Sequence, residues 1–361
     1  MPTPLCNLTL CSAVPSHQRR RRLSIGVSSG KFARFRKTRR SCSLAMRAGA
    51  TVEAEGGISR TALIWRAVKL PMYSVALVPL TVGAAAAYYQ TSLFAARRFL
   101  VLLGSSVLVI AWLNLSNDVY DFDTGADKNK KESVVNLLGS RSGTFLAACV
   151  CLLLGFSGLT LTSLATGNSR AILLLAAAIL CGYVYQCPPF RLSYSGLGEP
   201  LCFSAFGPFA TTAFYFLLGC SSKGRNLPVS RIILLSSFLV GVTTSLILFC
   251  SHFHQIEGDV AVGKISPLVR IGTQQGATTV KFALIFLYFI LFLSWATQSL
   301  PTSCIMLCSL TFPMAILVAN YVKENHSNKE KIFMAKYYCV RLHALFGAAL
   351  ASGLVLSKLI S

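Results

Sequence analysis

Residues 98–127 read RFLVLLGSSVLVIAWLNLSNDVYDFDTGAD, an apolar run that closes on a cluster of acids. About 20 mostly apolar residues cross a bilayer as a helix, and 98–117 supplies them. Asn114, Asn117, Asp118 and Asp121 fall at i, i+3, i+4 and i+7, a spacing that puts all four on one helical face. A charged side chain at the bilayer centre costs about 3 kcal/mol or more. The stripe must therefore face the interior of a helical bundle. Four of the five aspartates, Asp118, Asp121, Asp123 and Asp127, lie in this stretch, and the fifth, Asp259, follows a second long apolar run.

Working outward, the chain is 54% hydrophobic and 13% charged, which excludes a soluble globule and predicts an all-α membrane protein. Nine spans are expected: 71–89, 98–117, 142–162, 170–186, 199–220, 231–253, 281–299, 301–320 and 336–357. The acidic segments then join helices 2 and 3 and helices 6 and 7. They lie four helices apart, so helices 1–4 and 5–8 read as two pseudo-repeated halves with a site between them. Both segments fall on the side of the membrane that carries the excess of Lys and Arg, the cytoplasm-like face. Small residues predict close helix contacts at Gly83 with Ala84–Ala87, at Ala176–Ala178, and at Gly347 with Ala348 and Ala349.

Residues 1–52 hold eleven Lys/Arg and no acid. They are rich in Arg and Ser and lack a continuous apolar segment, which predicts an organellar transit peptide over 1–50 and a linker over 51–62, before a membrane domain at 63–361. Composition leans towards the chloroplast over the mitochondrion, so the loops carrying the acids would face the stroma. A nucleic-acid-binding arm is the rival reading, but no nucleic-acid-binding fold follows it. The thirteen cysteines lack ligand spacing and mostly sit in apolar runs, where they read as packing.

Clustered carboxylates suit Mg²⁺, which keeps several waters and binds one or two carboxylates plus substrate phosphates. The expected metal ligands are Asp118, Asp121, Asp127, Glu257 and Asp259, with Asp118, Asp121 and Asp259 essential to catalysis. Asp123 lies off the stripe and reads as a loop acid. Asn117, Lys128, Arg141, Lys264 and Arg270 are candidate diphosphate contacts, the lysines and arginines by charge that complements phosphate oxygens and Asn117 by its amide. The second segment repeats the stripe at His252, Gln255 and Asp259. His252 and His254 suggest a zinc pair less well than a substrate contact or a helix-end hydrogen bond.

Asn117-Asp118-x-x-Asp121 with Asp127, paired with Asp259-x-x-x-Gly263-Lys264-x-Ser266, resembles the UbiA-type intramembrane prenyltransferases over about residues 63–357. The segments Tyr185-Gln186-Cys187-Pro188-Pro189, Tyr194-Ser195-Gly196-Leu197-Gly198-Glu199 and Phe206-Gly207-Pro208 are similar to the 1,4-dihydroxy-2-naphthoate prenyltransferases of menaquinone and phylloquinone synthesis. HFHQIEGD followed by GKISPLVRIGT looks like their cyanobacterial and plastid branch, the phytyltransferases. Two positions depart from the family pattern: Gly125 stands where an aspartate is usual, with Asp127 in its place, and Gln255 stands where the second loop often has one, with Glu257 nearby.

The resemblance implies an Mg²⁺-dependent transfer of a phytyl or other prenyl group from its diphosphate to 1,4-dihydroxy-2-naphthoate, or its 2-carboxy-1,4-naphthoquinone form, within the bilayer, with loss of the acceptor's carboxylate. Asn114, Tyr185, Tyr194, His252 and Gln255 are the acceptor-binding candidates. Tyr120, Phe122, Tyr185 and Phe253 are candidates to stabilise an allylic cation through their π faces. Homogentisate or chlorophyllide are alternative acceptors. A two-halved transporter is the rival from another class, although its acids would be expected at mid-membrane.

Overall fold

Serine, asparagine and glycine punctuation sets the helix ends. The computed structural model of the chain describes residues 69–125, 133–220 and 227–360, and among them all regular structure is helical. The expected transit peptide and linker, and the candidates Asp127 and Lys128, lie outside the described residues. A short 3-10 turn at Leu70–Tyr73 leads into α1, Ser74–Thr91. Then come α2 (Ala96–Thr124), the short α3 (Val134–Leu138), α4 (Arg141–Thr166) and α5 (Ser169–Gln186). Ser140 and Asn168 cap α4 and α5 by accepting the Gly143 and Ala171 N–H groups. Gly125, Gly139 and Gly167 end α2, α3 and α4 in left-handed backbone.

The fifth span is not one regular helix. It runs as α6 (Gly198–Ser204), a π-helical segment at Ala205–Thr211, and α7 (Thr212–Gly219). Pro208 lies inside the π segment and has no N–H to offer the ladder, so a local change of register accommodates it. The second half of the chain follows as α8 (Arg231–His252), α9 (Ile256–Ala261) and α10 (Pro267–Ala296). It closes with α11 (Thr302–Ser309), α12 (Phe312–Asn325), α13 (Lys329–Ile332) and α14 (Ala335–Ile360).

Among the described residues eight helices are long and apolar enough to cross a membrane, and the bent pair α11–α12, taken as one span, makes a ninth. The expected count therefore stands, with three corrections to extent. The seventh span starts at Pro267, well before residue 281, and breaks its helical geometry at Gly272 (φ 77°, ψ 167°). The eighth is bent by 42° between Ser309 and Phe312, where Pro313 opens a new helix. The second extends to Thr124, so the acidic stripe is its last two turns and not a loop.

α1 is one of the two most enclosed spans, with α8, and packs against α7, α8 and α14. A Cβ on Gly83 would lie 2.7 Å from the Thr211 carbonyl oxygen, and one on Gly347 would lie 2.3 Å from a Val78 methyl. The Gly83 contact is therefore real, with Ala84–Ala87 buried beside it; at the second, Gly347 makes the contact while Ala348 is exposed. The third, Ala176–Ala178, is not real: Ala176 is exposed, and Ala178 lines a cavity. Leu153, Leu161, Phe282 and Phe289 face outward, as expected of a lipid-facing surface.

Candidate active site

The polar end of α2, the ends of α5 and α8, and the π segment surround a cavity of about 330 Å³. One end is apolar, walled by Leu159, Leu175, Ile179, Ala210 and Phe214. The other is polar, and there the stripe read from the sequence appears: Asn114, Asn117 and Asp121 all line it. Asn117 Nδ2 donates to Asp121 Oδ2 at 2.7 Å, and Asn114 Nδ2 is buried with no hydrogen-bond acceptor.

Asp118 behaves differently. It is fully buried and absent from the cavity wall. Lys69 Nζ lies 2.9 Å from its Oδ1, and the Val134 N–H donates to its Oδ2 at 3.0 Å. It therefore ties the start of α1 and the start of α3 to the end of α2. Lys69 itself lines the cavity, on left-handed backbone (φ 52°), a conformation that costs a non-glycine residue about 1–2 kcal/mol.

In the second segment, His252, Gln255 and Lys264 line the same polar end. Asp259 is buried, with Lys264 Nζ 3.2 Å from Oδ1, and its Oδ2 has no hydrogen-bond partner. Tyr185 reaches the cavity from α5 and lies in the electrostatic field of Asp121, Glu199 and Asp259. The two acidic segments thus meet at one site.

Several expected contacts go elsewhere. Glu257 is exposed and ion-pairs with Lys329, so it is not at the cavity. Arg141 holds Asp123 through two hydrogen bonds of 3.0 and 2.7 Å at the surface. The fork geometry suits a carboxylate, and this one is the nearest in space. Arg270 is exposed, and its Nη2 donates to the Ser195 carbonyl at 2.8 Å. Tyr194 does not line the cavity: its hydroxyl donates to Thr124 Oγ1 at 3.1 Å, and its carbonyl accepts the Ile265 N–H at 2.9 Å. Residues 191–196 thus form a strap joining the end of α2 to the second segment. Of the proposed cation-stabilising rings, Tyr185 lines the cavity, whereas Phe122 is exposed and Phe253 is packed in the core.

The Gly-Leu-Gly-Glu run acquires a physical meaning. Gly196 turns in left-handed backbone (φ 80°), where a Cβ would lie 3.0 Å from the Ile265 carbonyl oxygen. A Cβ on Gly198 would sit 3.0 Å from the Tyr185 ring. Glu199 Oε1 lies 3.0 Å from His252 Nδ1. Sequence reasoning gave no site role to Lys69, Phe333 or Lys336, yet all three line the cavity, as does His254, weighed there as a substrate contact. Phe333 stacks edge-on against His254, with ring centroids 4.9 Å apart, and carries Lys336 Nζ 4.0 Å above its ring.

Among the described residues, no three His, Cys, Asp or Glu side chains cluster closely enough to form a ready-made metal centre. A hard cation shared with substrate needs less: one or two carboxylates, completed by waters and phosphate oxygens. Asp121 on the cavity wall and the unpartnered Oδ2 of buried Asp259 fit that demand.

The UbiA prenyltransferase family model matches residues 76–340. The chain is 67% identical, over 86% of its length and 81% of the relative's, to the chloroplastic 2-carboxy-1,4-naphthoquinone phytyltransferase of Arabidopsis thaliana. It is 40% identical to the Synechocystis protein of the same activity, covering 81% of this chain and 93% of that one. A UbiA homologue from Archaeoglobus fulgidus, solved bound to GPP and Mg²⁺, shares the fold at a TM-score of 0.52 and 18% identity over 81% of this chain and all of that one. A homologue from Aeropyrum pernix does so at 0.61 and 12%, over 80% of this chain and 98% of that one. Helical architecture, an acid-lined cavity between spans and these relatives together make the chain a member of the UbiA prenyltransferase family.

Proposed function

We infer that the protein transfers a phytyl or similar prenyl group from its diphosphate to 1,4-dihydroxy-2-naphthoate or its 2-carboxy-1,4-naphthoquinone form, with loss of the carboxylate, in phylloquinone synthesis. The observation that carries the reading is a single cavity with a cationic, acid-bearing end and an apolar end, in a chain 67% identical to a plant phytyltransferase of this type. Lys69, Lys264 and Lys336 put positive charge where a diphosphate head group would lie. The isoprenoid tail follows the apolar wall of Leu159, Leu175 and Phe214.

Asp121 and Asp259, with Asp118 behind them, would hold Mg²⁺. When bound, the ion neutralises diphosphate oxygens and makes the group a better leaving group. The chain's own residues do the rest. The lysines stabilise charge developing on the leaving oxygens. Apolar walls keep water from the allylic cation, which hydrolysis would otherwise capture. Tyr185 offers its ring face to that cation. The acceptor then attacks through an electron-rich ring carbon.

The protein is a multi-pass chloroplast membrane protein. In the proposed arrangement residues 1–50 are the targeting segment and the site faces the stroma, in keeping with the Lys and Arg excess on that side. Membranes carrying the chain, given phytyl diphosphate, Mg²⁺ and each acceptor in turn, should yield phytylated naphthoquinol from dihydroxynaphthoate, identified by mass spectrometry. Product from homogentisate or chlorophyllide alone would overturn the acceptor assignment.

A further inference from the structure

His252 lines the cavity with Glu199 paired to it from outside the wall, and the pair has no part in holding the diphosphate. His252 is the last residue of α8, 2% exposed, and lines the cavity beside Gln255 and Tyr185. Its Nδ1 lies 3.0 Å from Glu199 Oε1. A carboxylate there accepts the Nδ1 hydrogen and fixes the tautomer whose Nε2 carries the lone pair. Among the described residues Nε2 makes no hydrogen bond. Glu199 Oε2 is buried without any partner, an arrangement that costs about 1–3 kcal/mol and serves no packing purpose. A carboxylate behind a histidine whose other nitrogen is open to a substrate cavity is the arrangement of a general base and its orienter.

We propose that His252 is a catalytic base that takes the proton of an acceptor ring hydroxyl and then returns it, with Glu199 as its positioning residue. This rests on the reading of the protein as a naphthoate prenyltransferase. The hydroxyl adjacent to the carboxylate-bearing carbon gives its proton to Nε2 as that carbon bonds to C1 of the prenyl group. The C–O bond to diphosphate breaks in the same phase. The ring is now a β-keto carboxylate. Its C–CO₂ bond breaks, the electron pair moves to the keto oxygen, and His252 hands the proton back. Carbon dioxide and diphosphate leave, the ring is aromatic again, no oxidant is required, and the histidine ends as it began.

The surroundings suit this role. Lys69, Lys264 and Lys336 share the cavity and favour an anionic naphtholate. Asp121, Cys181, Tyr185, Cys202, His254 and Tyr337 are the other titratable groups on its wall. Glu199 then stabilises the imidazolium once the proton has moved.

The test is steady-state kinetics of the purified full chain in lipid nanodiscs, with phytyl diphosphate, Mg²⁺ and dihydroxynaphthoate, between about pH 5 and 8. Wild-type kcat should fall on the acid side, where the imidazole is already protonated. His252→Gln should lower kcat by about 100-fold or more and erase that acid limb, with KM for phytyl diphosphate little changed. Glu199→Gln should lower kcat and move the limb to lower pH, because the imidazolium has lost its counter-ion, and Glu199→Asp should recover part of both. Wild-type kcat in His252→Gln, or an acid limb that survives in it, overturns the proposal. If His252→Gln does not fold, an unmoved limb in Glu199→Gln does so instead. Wild-type protein that makes no product from dihydroxynaphthoate defeats the acceptor assignment, a separate outcome.

Discussion

Asp118→Asn asks whether a buried carboxylate serves the fold, the diphosphate site or both. Both oxygens of Asp118 are engaged: Lys69 lies 2.9 Å from one, and the Val134 N–H lies 3.0 Å from the other. Breaking a buried ion pair by removing one partner costs about 3–5 kcal/mol, and an orphaned N–H about 1–3 kcal/mol. The Lys69 side chain is 20% exposed, so water relieves part of the first cost, and Asp118→Ala should destabilise by about 4 kcal/mol. Asparagine keeps an acceptor for Val134, so Asp118→Asn should cost only about 2 kcal/mol and still fold, which a thermal melt in detergent checks. If the carboxylate also serves the site, kcat/KM falls about 100-fold, equivalent to about 2.7 kcal/mol of transition-state stabilisation. The deciding variant is Lys69→Met combined with Asp118→Asn. It removes the stranded ammonium and should regain stability through the coupling of the pair, while product formation stays at or below the level of the single variant. Near-wild-type activity in the double variant would mean that Asp118 only neutralises Lys69, and would refute its place in the diphosphate site.

Chelation of divalent cations should abolish phytyl transfer, with Mg²⁺ restoring it, as followed by product extraction. Glu257→Gln should leave activity within about twofold of wild type, because an exposed pair such as Glu257–Lys329 contributes little; a large loss would return Glu257 to the site. Gly207→Ala should lower the melting temperature, reflecting a cost of about 1–3 kcal/mol, because its Cβ would meet the Ser237 carbonyl oxygen at 2.6 Å and the Gly241 Cα at 2.8 Å.

Helical periodicity made the cavity wall legible at Asn114, Asn117 and Asp121, because a regular helix carries spacing faithfully into space; His252 and Gln255 also line it, although a turn at residues 253–255 separates α8 from α9. Asp118 sits on the same helical surface, yet Lys69, 49 residues away, and Val134 engage both its oxygens. No spacing rule contains that partner. The misplacements of Glu257, Arg141 and Arg270 share one cause: a charge has more than one partner in reach, and the fold delivered Lys329, Asp123 and the Ser195 carbonyl first. Phe333 and Lys336 escaped notice because the turn before α14 reaches the cavity only through tertiary packing. The bend at α11–α12 was foreshadowed by Pro313, although a hydropathy run cannot tell a bent span from a straight one.

The strap at residues 191–196 bears on which changes the chain can tolerate. Two of its ties use main-chain oxygens: the Ile265 N–H donates to the Tyr194 carbonyl, and Arg270 donates to that of Ser195. Main-chain groups are the same in every residue type, so those ties survive most substitutions within the strap. They do not survive a change in its length. One inserted or deleted residue between Pro189 and Gly196 would offset both carbonyls and swing Tyr194 away from Thr124, separating the end of α2 from the second acidic segment. Sequence drift in this segment should therefore run through replacements and not through gaps, and its length is as much a part of the site as any side chain in the cavity.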